Sequence, residues 1–119
     1  MAGMAGGDYG PLFQSFSEDV RWHVIGATKF SGTITGKQEV LAKRMRPFRE
    51  LMKPPLIIKA RNFISEGEFV AVEADGQGVT KDGKPYNPSY CMIFRVKDGV
   101  VTEFTEYFDT DVSVTALGR

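Results

Sequence analysis

Tyr86–Phe108, YNPSYCMIFRVKDGVVTEFTEYF, reads as two β-strands and the turn between them. Tyr86 to Val96 and Val100 to Phe108 are rich in β-branched and aromatic residues, and Lys97-Asp98-Gly99 is a hairpin signal. Successive side chains alternate between the faces of a strand, so Thr102, Phe104, Glu106 and Phe108 share one face of the last strand. Tyr90, Met92, Phe94 and Val96 form the matching face of its neighbour. A carboxylate therefore sits between two phenylalanines.

Toward the N-terminus the same signals repeat. Phe69 to Val79 and Leu56 to Phe63 are two further strands, and Ser65-Glu66-Gly67 and Lys81-Asp82-Gly83-Lys84 are the turns that follow them. Together the four strands make an antiparallel meander. On the strand from Phe69, one register offers Phe69, Ala71, Glu73 and Asp75 to the Phe104–Glu106 face. The opposite face takes Val70, Val72, Ala74, Cys91, Ile93, Val101 and Tyr107. Leu41, Met45, Phe48 and Met52 recur at helical spacing, with Thr35 and Gln38 resembling a capping box at the start and Pro54-Pro55 as the stop. Val20, Trp22 and Val24 alternate with Asp19, Arg21 and His23 as a half-buried strand, followed by a loop from Gly26 to Gly36. Pro11 opens a short helix through Leu12, Phe13 and Phe16 that ends near Ser17, and Asp109 to Arg119 reads as a polar tail with room for partial order.

The chain has 119 residues, enough for one domain spanning 1–119, and 42% of them are hydrophobic, so a packed core is expected. Fifteen basic and fifteen acidic side chains cancel, which argues against nucleic acid as a partner. Cys91 is the only cysteine and His23 the only histidine, so neither an internal disulfide nor a Cys/His metal site is available, and no cofactor is implied. No apolar run is long enough to span a membrane, and the start lacks the pattern of a signal peptide; the cytoplasm is the expected location. Both faces of the sheet carry apolar residues, while a single long helix covers only one. A homodimer through the outer sheet face, including Val70, Val72, Ile93 and Tyr107, is therefore expected.

Several segments in this order resemble the nuclear-transport-factor-2-like superfamily, in its SnoaL-like and ketosteroid-isomerase-related branch. They are Ser17-Glu18-Asp19-Val20-Arg21-Trp22, Gly32, Gly36-Lys37, Gly83-Lys84-Pro85-Tyr86-Asn87, Asp98-Gly99 and Glu106-Tyr107-Phe108-Asp109-Thr110. The resemblance implies a cone-shaped α+β barrel, a curved antiparallel sheet packed against helices and closed around a small-molecule pocket. Ala5-Gly6-Gly7-Asp8-Tyr9-Gly10 resembles the end of the family's first helix, which implies that this helix is shortened here. Limonene epoxide hydrolase is similar from about Phe48 to Thr110. Its two catalytic acids correspond to Asp75 and Glu106 and its arginine to Glu73, while the tyrosine and asparagine that help to hold its attacking water correspond to Trp22 and Val24. In ketosteroid isomerase the general base falls near Val24 and the oxyanion-hole aspartate near Met92.

Glu106 is the leading candidate for chemistry, because the flanking phenylalanines should desolvate it and raise its pKa into a useful acid/base range. A structural glutamate held by Tyr86, Tyr90 or Asn87 is the alternative. Glu73 and Asp75 complete an acidic trio, or are solvated strand-end charges. Trp22, Val24, Phe48, Met52, Ile57, Tyr90, Met92, Phe94, Phe104 and Phe108 are the expected pocket wall. The basic run Lys43, Arg44, Arg46, Arg49 and Lys53 reads as a solvated helix face or as a site for phosphate or an acidic substrate. The functions implied are an acid/base isomerase, cyclase or hydrolase acting on a small apolar oxygenated molecule, a carrier of a small lipophilic ligand, or a dimeric interaction module.

Overall fold

In the computed structural model, which describes residues 10–118, one curled sheet wraps around an apolar core and is lined on its concave side by short helices. Helix α1 (Gly10–Gln14) leads into β1 (Phe16–Val24) and a short β2 (Gly32–Thr35). A helical arm follows, made of α2 (Lys37–Val40), a wide π-helical turn (Leu41–Met45) and α3 (Arg46–Leu51). Then come β3 (Met52–Glu66), β4 (Phe69–Thr80), the two-residue β5 (Pro85–Tyr86), β6 (Ser89–Lys97), β7 (Val100–Phe108) and the C-terminal helix α4 (Thr110–Leu117).

The strand order is β2-β1-β7-β6-β4-β3, with β5 paired to β4. The meander from β3 to β7 is antiparallel as expected, but β1 lies parallel to β7, so the sheet is mixed. This parallel pairing sets Trp22 beside Phe104 and Val24 beside Glu106. It carries the N-terminal strand to the chemical centre of the sheet. The β6–β7 turn has Asp98 and Gly99 both at positive φ, +52° and +78°, the geometry that matches the natural twist of a two-residue hairpin.

Pairing across β4 and β6 corrects the expected faces. Val72 lies opposite Met92, Ala74 opposite Tyr90 and Val70 opposite Phe94, so Val70, Val72 and Ala74 point into the core. Glu73 and Asp75 point outward, with Cys91 and Ser89 as their partners. Val101 is also buried in the core, next to an irregularity in the β6–β7 ladder.

Four local expectations also change. Helix α1 stops at Gln14 rather than near Ser17, because Phe16 already belongs to the core face of β1. The expected loop from Gly26 to Gly36 contains β2. Gly36 rather than Thr35 caps the helical arm, at φ +103° and without a side-chain hydrogen bond, so the capping box is not formed. The expected tail folds as α4, begun by the Asp109 carboxylate accepting from the Val112 amide at 3.4 Å, and it buries Ser113 and Ala116. The likeness read in residues 5–10 falls almost wholly outside the described residues.

The wide turn has a cause in the sequence. Pro47 has no N–H to give the carbonyl four residues earlier, and its ring crowds that carbonyl in a regular helix. The arm widens just before it, with the Arg46 amide donating to the Leu41 carbonyl five residues back. Among the described residues, no helix is long and apolar enough to cross a membrane.

Candidate functional site

Between the helical arm and the concave face of the sheet lies a cavity of about 440 Å³, within the range of small-molecule sites. Trp22 and Val24 come from β1, Phe48 from α3, Met52 from β3, Tyr90 and Met92 from β6, and Phe104, Glu106 and Phe108 from β7. Nine residues expected at the site are thus brought together, Glu106 among them.

Two expected wall residues lie elsewhere. Phe94 stands behind Phe104, ring on ring at 4.4 Å and 20°, and Phe104 in turn stacks on Trp22 at 4.9 Å and 16°. It supports the wall without reaching the cavity. Ile57 borders a shallow groove on the outside of the sheet, because the irregular pairing between Lys53 and Ile57 turns Leu56 and Ile58 inward instead.

The acidic trio is not assembled. Arg61 holds Glu73 at 3.5 Å and Asp75 at 3.1 Å on the outer surface, where Asn62 also donates to Glu73 at 3.0 Å and Ser89 to Asp75 at 3.1 Å. Period two explains this: once Val72 and Ala74 face inward, the residues between and after them must face out. His23 likewise points outward, in a 2.8 Å hydrogen bond with Thr33.

Among the described residues, Glu106 is the only carboxylate in the cavity wall. Burial pushes its pKa up to about 7, and the positive charge of Arg44 opposes the rise. The group is therefore divided between its acid and base forms near neutrality, which is the condition for proton transfer in either direction. Burial raises the pKa of Tyr86 well above the usual phenol range, while the side chains of Tyr90 and Ser113 oppose the rise, so it stays a neutral phenol.

Arg44 is the residue whose role the sequence concealed. It is only 5% exposed, and its two terminal nitrogens donate to the carbonyls of Trp22 at 2.7 Å and Gly32 at 2.8 Å. Its guanidinium lies 5.2 Å from the centre of the Trp22 ring. It belongs to a basic run whose other members, Lys43, Arg46, Arg49 and Lys53, are exposed. The available signal was spacing: Val40, Arg44 and Phe48 fall four apart, on the face that meets the sheet. Tyr86 and Ser113 are further wall residues beyond the expected set, the second delivered by the unforeseen helix α4.

Fold and cavity together define a curled α+β domain whose sheet and helices surround an apolar cavity. Residues 1–104 match the model of the SnoaL-like domain, and the chain belongs to that family. Similar solved structures include an NTF2-like protein of unknown function from Burkholderia pseudomallei, 20% identical, with a TM-score of 0.85 over 99% of this chain and 91% of that one. A Bacillus subtilis protein provisionally named an isomerase is 21% identical, with a TM-score of 0.82 over 99% and 86% of the two chains. A protein provisionally named a SnoaL-like polyketide cyclase, from Jannaschia sp. CCS1, is 20% identical, with a TM-score of 0.76 over 98% and 84%. No curated protein matches the sequence.

Proposed function

We propose that this protein is an enzyme that moves a proton on a small, largely apolar, oxygen-bearing molecule held in the cavity, with Glu106 as the acid and base. The observation that carries this reading is a lone carboxyl group in an apolar wall, its pKa pushed up to about 7 by burial. Isomerisation or cyclisation suits one such group, which can take a proton at one position and return it at another. Hydrolysis suits it less, because Glu73 and Asp75 are turned away and leave no second carboxylate to hold a water. The names of two neighbours in fold, an isomerase and a polyketide cyclase, are in keeping with this choice. On this reading the enzyme works in the cytoplasm, where an unpaired thiol such as Cys91 is ordinary, and as a homodimer.

The test is exchange of solvent deuterium into a panel of small cyclic and aromatic ketones, followed by NMR. The wild-type protein should speed exchange beside the carbonyl of at least one of them. Glu106→Gln should reduce the rate about a hundredfold or more while binding stays within a few-fold, since a proton-transfer group acts chiefly on the transition state. Equal rates in the two proteins would remove Glu106 from the chemistry. Because Glu106 has no second carboxylate beside it, the carrier of a lipophilic ligand is the reading that would then stand.

A further inference from the structure

We infer that the molecule taken by this cavity carries an anionic oxygen, a carboxylate or an ionised enol, set against Arg44 with its apolar body along Trp22, Phe48 and Phe108. The inference rests on the reading of the cavity as a small-molecule site and narrows the class of ligand. Its basis is the guanidinium of Arg44. Both of its terminal nitrogens are spent on neutral backbone carbonyls, its Nε has no partner, and no carboxylate among the described residues forms an ion pair with it. The Trp22 Nε1 beside it is equally unpartnered. Glu106 offers Arg44 only a partial counter-charge, without an ion-pair contact; a buried cation so poorly matched is costly, and arginine does not escape the cost by losing its proton.

The rest of the cavity does not repair the imbalance. Arg49 on α3 and Lys81 after β4 add two exposed positive charges to its lining. Lys81 is fixed there by its amide, which donates to the Leu51 carbonyl at 3.0 Å. Of the remaining titratable groups facing inward among the described residues, Tyr86 on β5 and Tyr90 on β6 are phenols, which leaves Glu106 on β7 as the single carboxyl group. Three cations against one carboxylate favour an anion at every stage from approach to seating. The π-helical turn that holds Arg44 is itself a feature frequently met at functional sites.

A bound anion and an ionised Glu106 repel each other, so binding an acid should draw a proton onto Glu106. Affinity for acids should therefore rise as pH falls through the range where Glu106 takes up its proton.

The experiment compares three probes by calorimetry: naphthoate, the anion of hydroxynaphthoquinone, and methyl naphthoate as the neutral control. The wild-type protein should bind at least one of the two acids about tenfold more tightly than the ester, and which acid wins distinguishes carboxylate from enolate. Arg44→Met should abolish that preference, and Arg44→Lys should keep part of it. Should the Met variant not fold, pH supplies the second measurement. Acid affinity should rise between about pH 8 and pH 6 in the wild type and stay flat in Glu106→Gln. Equal binding of acids and ester overturns the inference and leaves the small-molecule reading intact. Failure of all three probes to bind overturns both.

Discussion

Phe104 shows how closely one side chain of this fold ties stability to the site. It is 2% exposed and lies between Phe94 and Trp22 in a continuous stack of rings, with Phe16 packed at 6.4 Å. Phe104→Ala should leave a void among rigid aromatic neighbours that cannot close it, at a cost of about 3–5 kcal/mol in chemical denaturation. Trp22 emission should change as well, since its stacked partner is gone. A loss below about 1 kcal/mol would mean that the stack collapses freely and does not brace the wall. Glu106 and Arg44 form the other residue-scale relationship. Burial lowers the pKa of Arg44 while Glu106 raises it, and burial raises the pKa of Glu106 while Arg44 lowers it. Each moderates the other without an ion-pair contact, which leaves the carboxyl able to titrate.

At the scale of elements, α4 is the piece whose removal should be felt in the cavity without destroying the sheet. Asp109→Ala removes its capping carboxylate and should cost about 0.5–1 kcal/mol, toward the low end because the bond is long at 3.4 Å. Amide exchange should speed up over Thr110–Leu117 while β6 and β7 stay protected. Uniform loosening of the sheet would instead make α4 part of the folding core. The same helix illustrates where the sequence is hard to read. Thr110-Asp111-Val112-Ser113 has little apolar content, yet Val112, Ser113, Ala116 and Leu117 together make it a packed element. β6 and β7 were legible because β-branched and aromatic alternation and an Asp-Gly turn all point to one answer. β4 was not: Phe69 and Ala71 on one face look as apolar as Val70 and Val72 on the other, and a one-residue choice moves Glu73 and Asp75 between cavity and solvent. Glu106 was legible for the opposite reason, standing between two phenylalanines on a strand of clear alternation. Arg44 was hidden because charge is read as exposure, and only the four-residue spacing to Val40 and Phe48 outweighs that rule.

For the whole molecule, the convex side of the sheet is the unfinished surface. Ile64 is 60% exposed, Phe69 46% and Tyr107 43%, and Ala71, Cys91 and Ile93 lie between them on the same face. Val70 and Val72 drop out of the expected interface because they point inward. A second copy is the occupant proposed for this face: light scattering at micromolar concentration should give a dimer, and Ile93→Glu a folded monomer, whereas a monomeric wild type would leave the patch without that role. The central claim, that the cavity holds a carboxyl group titrating near neutrality, also has a whole-molecule signature. Burial pushes the Glu106 carboxyl from its ordinary 4.5 up to about 7, so the folded state binds the proton more tightly. Its contribution to stability is fully present below the lower value and is lost as pH rises to the upper one. Glu106→Gln has no such group. The most direct measurement is the unfolding free energy of both proteins across that pH window. The stability of the Gln variant relative to wild type should rise by as much as about 3 kcal/mol from the acid to the alkaline end. A difference that stays constant with pH would contradict the raised pKa, and with it the assignment of Glu106 as the acid and base.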